Sequence, residues 1–267
     1  MSYSNIHFET AGGVATITLN RPESRNIITD PDMIAEIESA LSMANQDPTT
    51  LVLILTGADP AFSSGGNIKE MAQKQGMFSG SPEQIAANYR ASIQRIPLAM
   101  QQVEIPTIAA VNGPAIGAGC DLAMMCDMRV VSEKAQFGET FLNVGLIPGD
   151  GGAWFLPRVV GLAKACELTF TGEVIDARTA LEMGMVNHLV AHDQLLPETN
   201  ALAAKIAAKP PGALRMAKKL LRLGQQAPLA ELLKQSAAYQ GRCHHTEDHQ
   251  EALAALFEKR KPVFKGK

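Results

Sequence analysis

The sequence predicts an α/β fold in which β–β–α units follow one another as a spiral and a helical region closes the chain. Apolar β-type runs at Val14 to Leu19, Leu51 to Thr56, Thr107 to Val111 and Met128 to Val131 alternate with helical patterns, as in a mixed or parallel sheet with right-handed crossovers. Two of those runs lead into turns of small residues. After Gly161 the periodicity is mostly helical. A chain of 267 residues is long enough for one large domain or two ordinary ones, so length alone leaves the division open.

The first element expected is a hairpin, Ile6 to Thr10 and Val14 to Leu19, joined through Ala11-Gly12-Gly13. Asp30-Pro31 then provides an N-cap with proline at the first helical position. Met33, Ile34, Ile37, Leu41 and Ala44 give that helix one apolar face. Strand 51–56 follows, then a helix across roughly 83–102, strand 107–111, a small-residue helix and a strand at 128–131. The segment 73–82 has no periodicity and reads as a mobile stretch, either a lid over the site or a plain surface loop. Helices are expected at 162–171, 177–183, 193–208, 211–224, 228–242 and 246–260. Pro210-Pro211-Gly212 marks the clearest joint, separating a core at 1–209 from a helical region at 210–267.

Composition excludes several function classes. Hydrophobic residues at 46% and charged residues at 19% describe a globular protein with ample core, and aromatics at 5% are too few for nucleic-acid stacking platforms. The net charge of −3, with no basic run before Lys259 to Lys267, lacks the basic stripe of a nucleic-acid binder. Cys120, Cys126, Cys166 and Cys243 form no CxxC pair and read as small buried hydrophobes in a reducing compartment. Met1 to Thr10 shows no secretion signal, and no apolar stretch reaches the roughly 20 residues that span a bilayer, so no membrane partner is expected and the expected compartment is the cytoplasm. The glycine spacing fits neither a P-loop nor a dinucleotide fingerprint.

The chemistry is expected in the two small-residue turns. Val111 to Asp127 runs from a strand through Gly113, Gly117 and Gly119 into an apolar helix, leaving backbone N–H groups uncovered at the helix start. Ala61-Phe62-Ser63-Ser64-Gly65-Gly66-Asn67-Ile68 repeats the design after the earlier strand. Two such turns, each donating one N–H, are what an oxyanion hole requires. Asp121 lies just beyond the glycines, where its carboxylate either serves the reaction or stabilises the helix start.

These two stretches resemble the paired signatures of the crotonase (enoyl-CoA hydratase/isomerase) superfamily. The resemblance continues through Arg21-Pro22-Glu23, Phe137-Gly138-Glu139, Gly145 to Gly149, Leu156-Pro157-Arg158 and Thr171-Gly172-Glu173 to Phe257 to Pro262, covering essentially the whole chain. It implies a crotonase-like spiral at 1–209, with helices at 210–267 that build trimer contacts and cover the site. It also implies a homotrimer or a dimer of trimers, and an acyl-CoA thioester as substrate with no separate cofactor.

Residue by residue, the resemblance puts the oxyanion-hole donors at Gly66 and Ala118. Asp121 falls where the hydratases carry their first catalytic glutamate. The second glutamate falls at 141, where this sequence has Phe141, and a phenyl ring exchanges no proton. Glu139 and Asp150 are the nearby substitutes, each with an alternative as a turn or N-cap residue. Arg25, Ser64, Gly66, Ile68 and Lys259 resemble coenzyme A contacts, with Lys259 reaching in from a neighbouring subunit, while Phe141 and Met71, Tyr89 and Met100 are candidates to shape the acyl pocket. His244 and His245 resemble a helix-start loop, and no metal is expected there.

Hydration of a 2-enoyl-CoA to a 3-hydroxyacyl-CoA is the leading expectation. Double-bond isomerisation, which needs a single base, comes close behind. Thioester hydrolysis and decarboxylation use the same oxyanion hole. A non-catalytic acyl-CoA-binding or RNA-binding relative is the reading from another class, opposed by the paired turns with Asp121 and by the missing basic helix.

Overall fold

The computed structural model describes residues 3–267. Alternating burial along β2 (Val14–Leu19) sends Ala15, Ile17 and Leu19 into the core, and β1 (Ile6–Ala11) pairs with it as the expected antiparallel hairpin. Asp30 caps α1 (Pro31–Gln46) through Oδ1, which accepts the N–H groups of Asp32 and Met33. The apolar face of α1 is fully buried. β3 (Val52–Gly57) is buried at every residue, as befits a central parallel strand covered on both faces.

The chain then forms α2 (Ile68–Gln73), α3 (Pro82–Ala91), α4 (Arg95–Gln102), β4 (Thr107–Val111), β5 (Pro114–Ile116), α5 (Ala118–Met125), β6 (Met128–Ser132) and β7 (Gln136–Gly138). There follow α6 (Gly152–Val160), α7 (Leu162–Thr171), β8 (Val174–Asp176), α8 (Ala177–Glu182), β9 (His188–Val190) and α9 (Leu195–Ala207). The last elements are α10 (Pro211–Gly224), α11 (Leu229–His244) and α12 (Glu247–Glu258). Six strands form one sheet in the order β1-β2-β3-β4-β6-β9, parallel except for the β1–β2 hairpin. A second sheet has the order β5-β7-β8, with β5–β7 parallel and β7–β8 antiparallel. The large sheet divides two cores. Leu53, Leu55, Ala109 and Val111 face the main one, while Val52, Ile54, Ile108 and Ala110 pack with Leu195 and Ala203 under α9.

Three expectations need correction. The helix expected over 83–102 is two helices, because Pro97 lacks an N–H and would clash with the carbonyl of Ile93 if the helix ran on. The chain leaves helical geometry at Ser92 (φ −125°, ψ −104°) and restarts at Arg95 with Pro97 in the first turn. The region after Gly161 is mostly helical as expected, with two three-residue strands, β8 and β9, too short to show a period. The segment 73–82 is anchored: Met77 and Phe78, in a 3₁₀ turn, are buried in the main core. Finally, Cys166 and Cys243 are only half-buried, although all four cysteines are free.

Beyond α9, α10 is fastened to the core by Lys218. Its Nζ donates to the Ile105 carbonyl at 2.7 Å and pairs with Asp127 Oδ2 at 2.6 Å. Burial pulls the Lys218 pKa down to about 8 despite that partner. α11 packs on α10, and α12 on α11. Thr246 caps α12, with His244 Nδ1 3.1 Å from His249 Nε2 beside it. Among the described residues no helix is long and apolar enough to cross a membrane, and no three His, Cys, Asp or Glu side chains gather as metal ligands would.

One buried side chain ties the early loop to the turn after β3. Asn26, fully buried with φ +57°, donates Nδ2 to the Ala58 and Ala61 carbonyls, and its Oδ1 accepts the Arg21 N–H. Removing the amide leaves these backbone groups without partners. Asn26→Ala is therefore expected to lower the unfolding free energy by roughly 3 kcal/mol, read as a lower urea midpoint at unchanged m-value. An unmoved midpoint would show that other contacts hold the turn.

Candidate active site

The two small-residue turns meet. Ile116 N–H donates to Ser63 O at 3.0 Å, and Ser63 bridges to Ala115. Ser63 Oγ donates to the Asn26 carbonyl at 2.7 Å and accepts the Gly65 N–H at 3.1 Å, so the turn is fixed from inside. A Cβ on Gly119 would collide with the Ser63 carbonyl, which explains why glycine stands there. The turns thus bring Gly66 and Ala118 to one cavity of about 260 Å³. Ala118 is the first residue of α5, where an N–H has no helical partner, and among the described residues neither its N–H nor that of Gly66 finds an acceptor.

The cavity is mainly apolar, walled by Met71, Met77, Phe78, Ile93, Phe141 and Leu146. Phe141 presents a ring close to Gly117, where the resemblance to hydratases calls for a carboxylate. Ser64 also lines the cavity, its hydroxyl committed to the Ser24 carbonyl at 3.2 Å and its N–H to the Arg25 carbonyl at 2.9 Å. Arg25 is therefore an exposed neighbour of the mouth, and Ile68, 65% exposed, stands at the rim. Lys259 ends α12 on the surface and does not line the cavity of its own chain. Met100 lies in the core rather than on the cavity wall.

Asp121, Glu139 and Asp150 come together although they belong to three different segments. Asp121, in the first turn of α5, uses Oδ2 to accept the Gly152 N–H at 3.1 Å. It therefore caps the start of α6 instead of its own helix. Gly152 lies so close that any Cβ there would overlap the Asp121 carboxyl. Glu139 and Asp150 make no capping bond to the turns they precede, which removes that alternative for both. Asp121 Oδ1, both Glu139 oxygens and Asp150 Oδ1 are buried without an N–H or hydroxyl donor. The Glu139 charge acts on Asp121 and the Asp121 charge on Asp150, so the three carboxyls lose their protons as a linked set.

All three carboxyls are held above the ordinary range. Burial is the largest cause in each case. For Asp121 the Glu139 charge adds to it, and for Asp150 the Asp121 charge does. Asp121 and Asp150 are pushed well up, Glu139 less so. The Cys120 thiol is pushed well above its usual value by burial and by Glu139. Of the three carboxyls only Asp150 lines the cavity. Asp121 and Glu139 lie behind it.

Sequence reasoning missed several contributors. Met77 and Phe78 form a roof, and their signal was an apolar pair in an otherwise polar segment. Thr29 lines the cavity and accepts the Asn67 N–H at 3.1 Å. Cys120 reads as an inert hydrophobe in the sequence, whereas in the fold its buried thiol feels the Glu139 charge.

The family model for enoyl-CoA hydratase/isomerase matches residues 9–267. A crotonyl-CoA hydratase of Syntrophomonas wolfei is 36% identical over 265 residues, spanning 99% of both chains. The 2,3-dehydroadipyl-CoA hydratase of Escherichia coli is 35% identical over 254 residues, spanning 95% of this chain and 96% of that one. The crystal structure of an enoyl-CoA hydratase from Bacillus anthracis superposes with a TM-score of 0.92 at 35% identity, covering 99% of this chain and 100% of the other. With the spiral sheets, the paired turns and a match over nearly its full length, the chain belongs to the enoyl-CoA hydratase/isomerase family.

Proposed function

We propose that the protein adds water across the double bond of a 2-enoyl-CoA to give a 3-hydroxyacyl-CoA. One observation carries this reading: a single carboxyl, Asp150, opens into the same apolar cavity as the two free amides of Gly66 and Ala118. The thioester oxygen accepts both N–H groups, which stabilise the enolate charge as water attacks. Losing one such donor typically costs about 3 kcal/mol of transition-state stabilisation. Ionised Asp150 takes a proton from water as its oxygen bonds to the β-carbon, and returns that proton to the α-carbon. Asp121 and Glu139, behind Asp150, hold and share the remaining protons, so the negative charge need not stay on one group.

Arg25, Ser64 and Ile68 flank the mouth and are proposed to hold the coenzyme A arm, joined by Lys259 from a neighbouring copy. Coenzyme A arrives as part of the substrate, and no other cofactor is invoked. Isomerisation of an enoyl-CoA is the second reading, favoured by the same solitary Asp150 and by apolar Phe141, since one base suffices to move a proton between carbons. The segment 210–267 is proposed to act as an assembly region in a cytoplasmic homotrimer or dimer of trimers. Leu229, Leu233, Leu256 and Phe257 on α11 and α12 are between 58% and 80% exposed, a large apolar surface for a lone chain.

Asp150→Asn is expected to lower crotonyl-CoA hydration by roughly 10²-fold or more while leaving coenzyme A thioester binding intact. Near-normal turnover would return the acid–base role to Asp121. Asp121→Asn is expected to act differently. It removes a neighbouring charge that raises the Asp150 pKa, so Asp150 ionises at lower pH and the acid limb of the kcat/KM profile moves down. A limb that stays in place or moves up would break the link between the two groups. Sedimentation at micromolar concentration is expected to show a trimer or hexamer, and a stable monomer would rule out the assembly.

A further inference from the structure

Near the C-terminal end of α3, Tyr89 lines the cavity that Asp150 lines. Its ring stands edge-on to Phe78, with centroids 6.3 Å apart at 71°, which fixes it in the roof. It also rests on the loop that carries Asp150. A Cβ added at Gly149 would lie 3.2 Å from Tyr89 Cε1. Gln94 Nε2 donates to the Gly149 carbonyl at 2.7 Å, pinning the same loop to the break between α3 and α4. Burial first, and the Asp150 charge second, raise the Tyr89 pKa, so its hydroxyl remains a donor across the working range.

Tyr89 and Asp150 therefore line one cavity, and Asp150 Oδ1 is buried without a hydrogen-bond partner among the described residues. A buried carboxyl without a donor is costly unless a polar molecule in the cavity reaches it. Of the other hydroxyls that line the cavity, Ser64 donates to the Ser24 carbonyl and Thr29 accepts the Asn67 N–H, while Thr140 Oγ1 stands beside Gly117 at the oxyanion turn. Phe141 offers nothing to a water, although hydration needs one that is both held and deprotonated.

We propose that Tyr89 is the second holder of the attacking water, its O–H donating to one lone pair while the Asp150 carboxylate accepts a water proton. The proposal rests on the hydratase reading. In the step, the second lone pair of the water forms the bond to the β-carbon, and the π electrons of the double bond pass to the thioester oxygen in the hole. The proton taken by Asp150 then returns to the α-carbon. Tyr89 keeps its own proton throughout, so water is the only species consumed. This makes Tyr89 a catalytic residue that orients without transferring.

Tyr89→Phe keeps the ring, its stacking on Phe78 and its contact with Gly149, and removes only the hydroxyl. Two measurements separate its roles: kcat for crotonyl-CoA hydration, and calorimetric binding of saturated butyryl-CoA, which needs no water. The expected result is a kcat lower by about tenfold or more, with butyryl-CoA affinity within about twofold of the parent. Hydration as fast as the parent's overturns the assignment. A parallel loss of kcat and butyryl-CoA affinity overturns it too, by showing that the hydroxyl shapes the roof. If the parent protein binds butyryl-CoA but adds no water to crotonyl-CoA, the hydratase reading itself falls, and this proposal with it.

Discussion

Two backbone turns, one after β3 and one before α5, approach each other so closely that side chains are excluded between them. The bond from Ile116 N–H to Ser63 O and the packing of Gly119 on that same carbonyl set the distance. Everything the site does depends on this contact. It leaves the amides of Gly66 and Ala118 free beside one cavity, because each is the group its turn cannot satisfy internally. It also fixes the start of α5, and with it the place of Asp121. The sheet stiffens the arrangement, since β3 and β4 deliver the two turns from adjacent, fully buried strands.

The carboxyl cluster is the costly part of the design. Removing three carboxyl groups from water disfavours their charged forms, and proximity disfavours them further. The fold offsets part of this by supplying the Gly152 N–H to Asp121. A protein selected for stability alone gains nothing from such a cluster, and strongly perturbed buried acids at a cavity are characteristic of working sites. Of the three carboxyls only Asp150 meets the cavity.

The roof over the cavity joins distant parts of the chain. Met77 and Phe78 drop from a turn into the core, Tyr89 packs against Phe78, and Gln94 holds the Asp150 loop. Pro97, by ending one helix and starting another, makes the bend that brings Gln94 to Gly149.

The sequence by itself determined the local and repetitive features. The hairpin, the Asp30 cap, the buried face of α1 and the two glycine turns all arise from short-range spacing, so they were legible from residue order. The whole-chain motif pattern carried the family and the spiral fold as well. It also placed Gly66 and Ala118, since backbone donors need only small residues in the right turn. Tertiary structure decided what depends on long-range approach: that Asp121 caps α6, that Glu139 and Cys120 meet, and that Asp150 alone reaches the cavity. The three-residue strands β8 and β9 likewise exist only because partners await them. Side-chain direction at a turn and pairing between segments tens of residues apart leave no period in the sequence, because the forces that fix them act across space rather than along the chain.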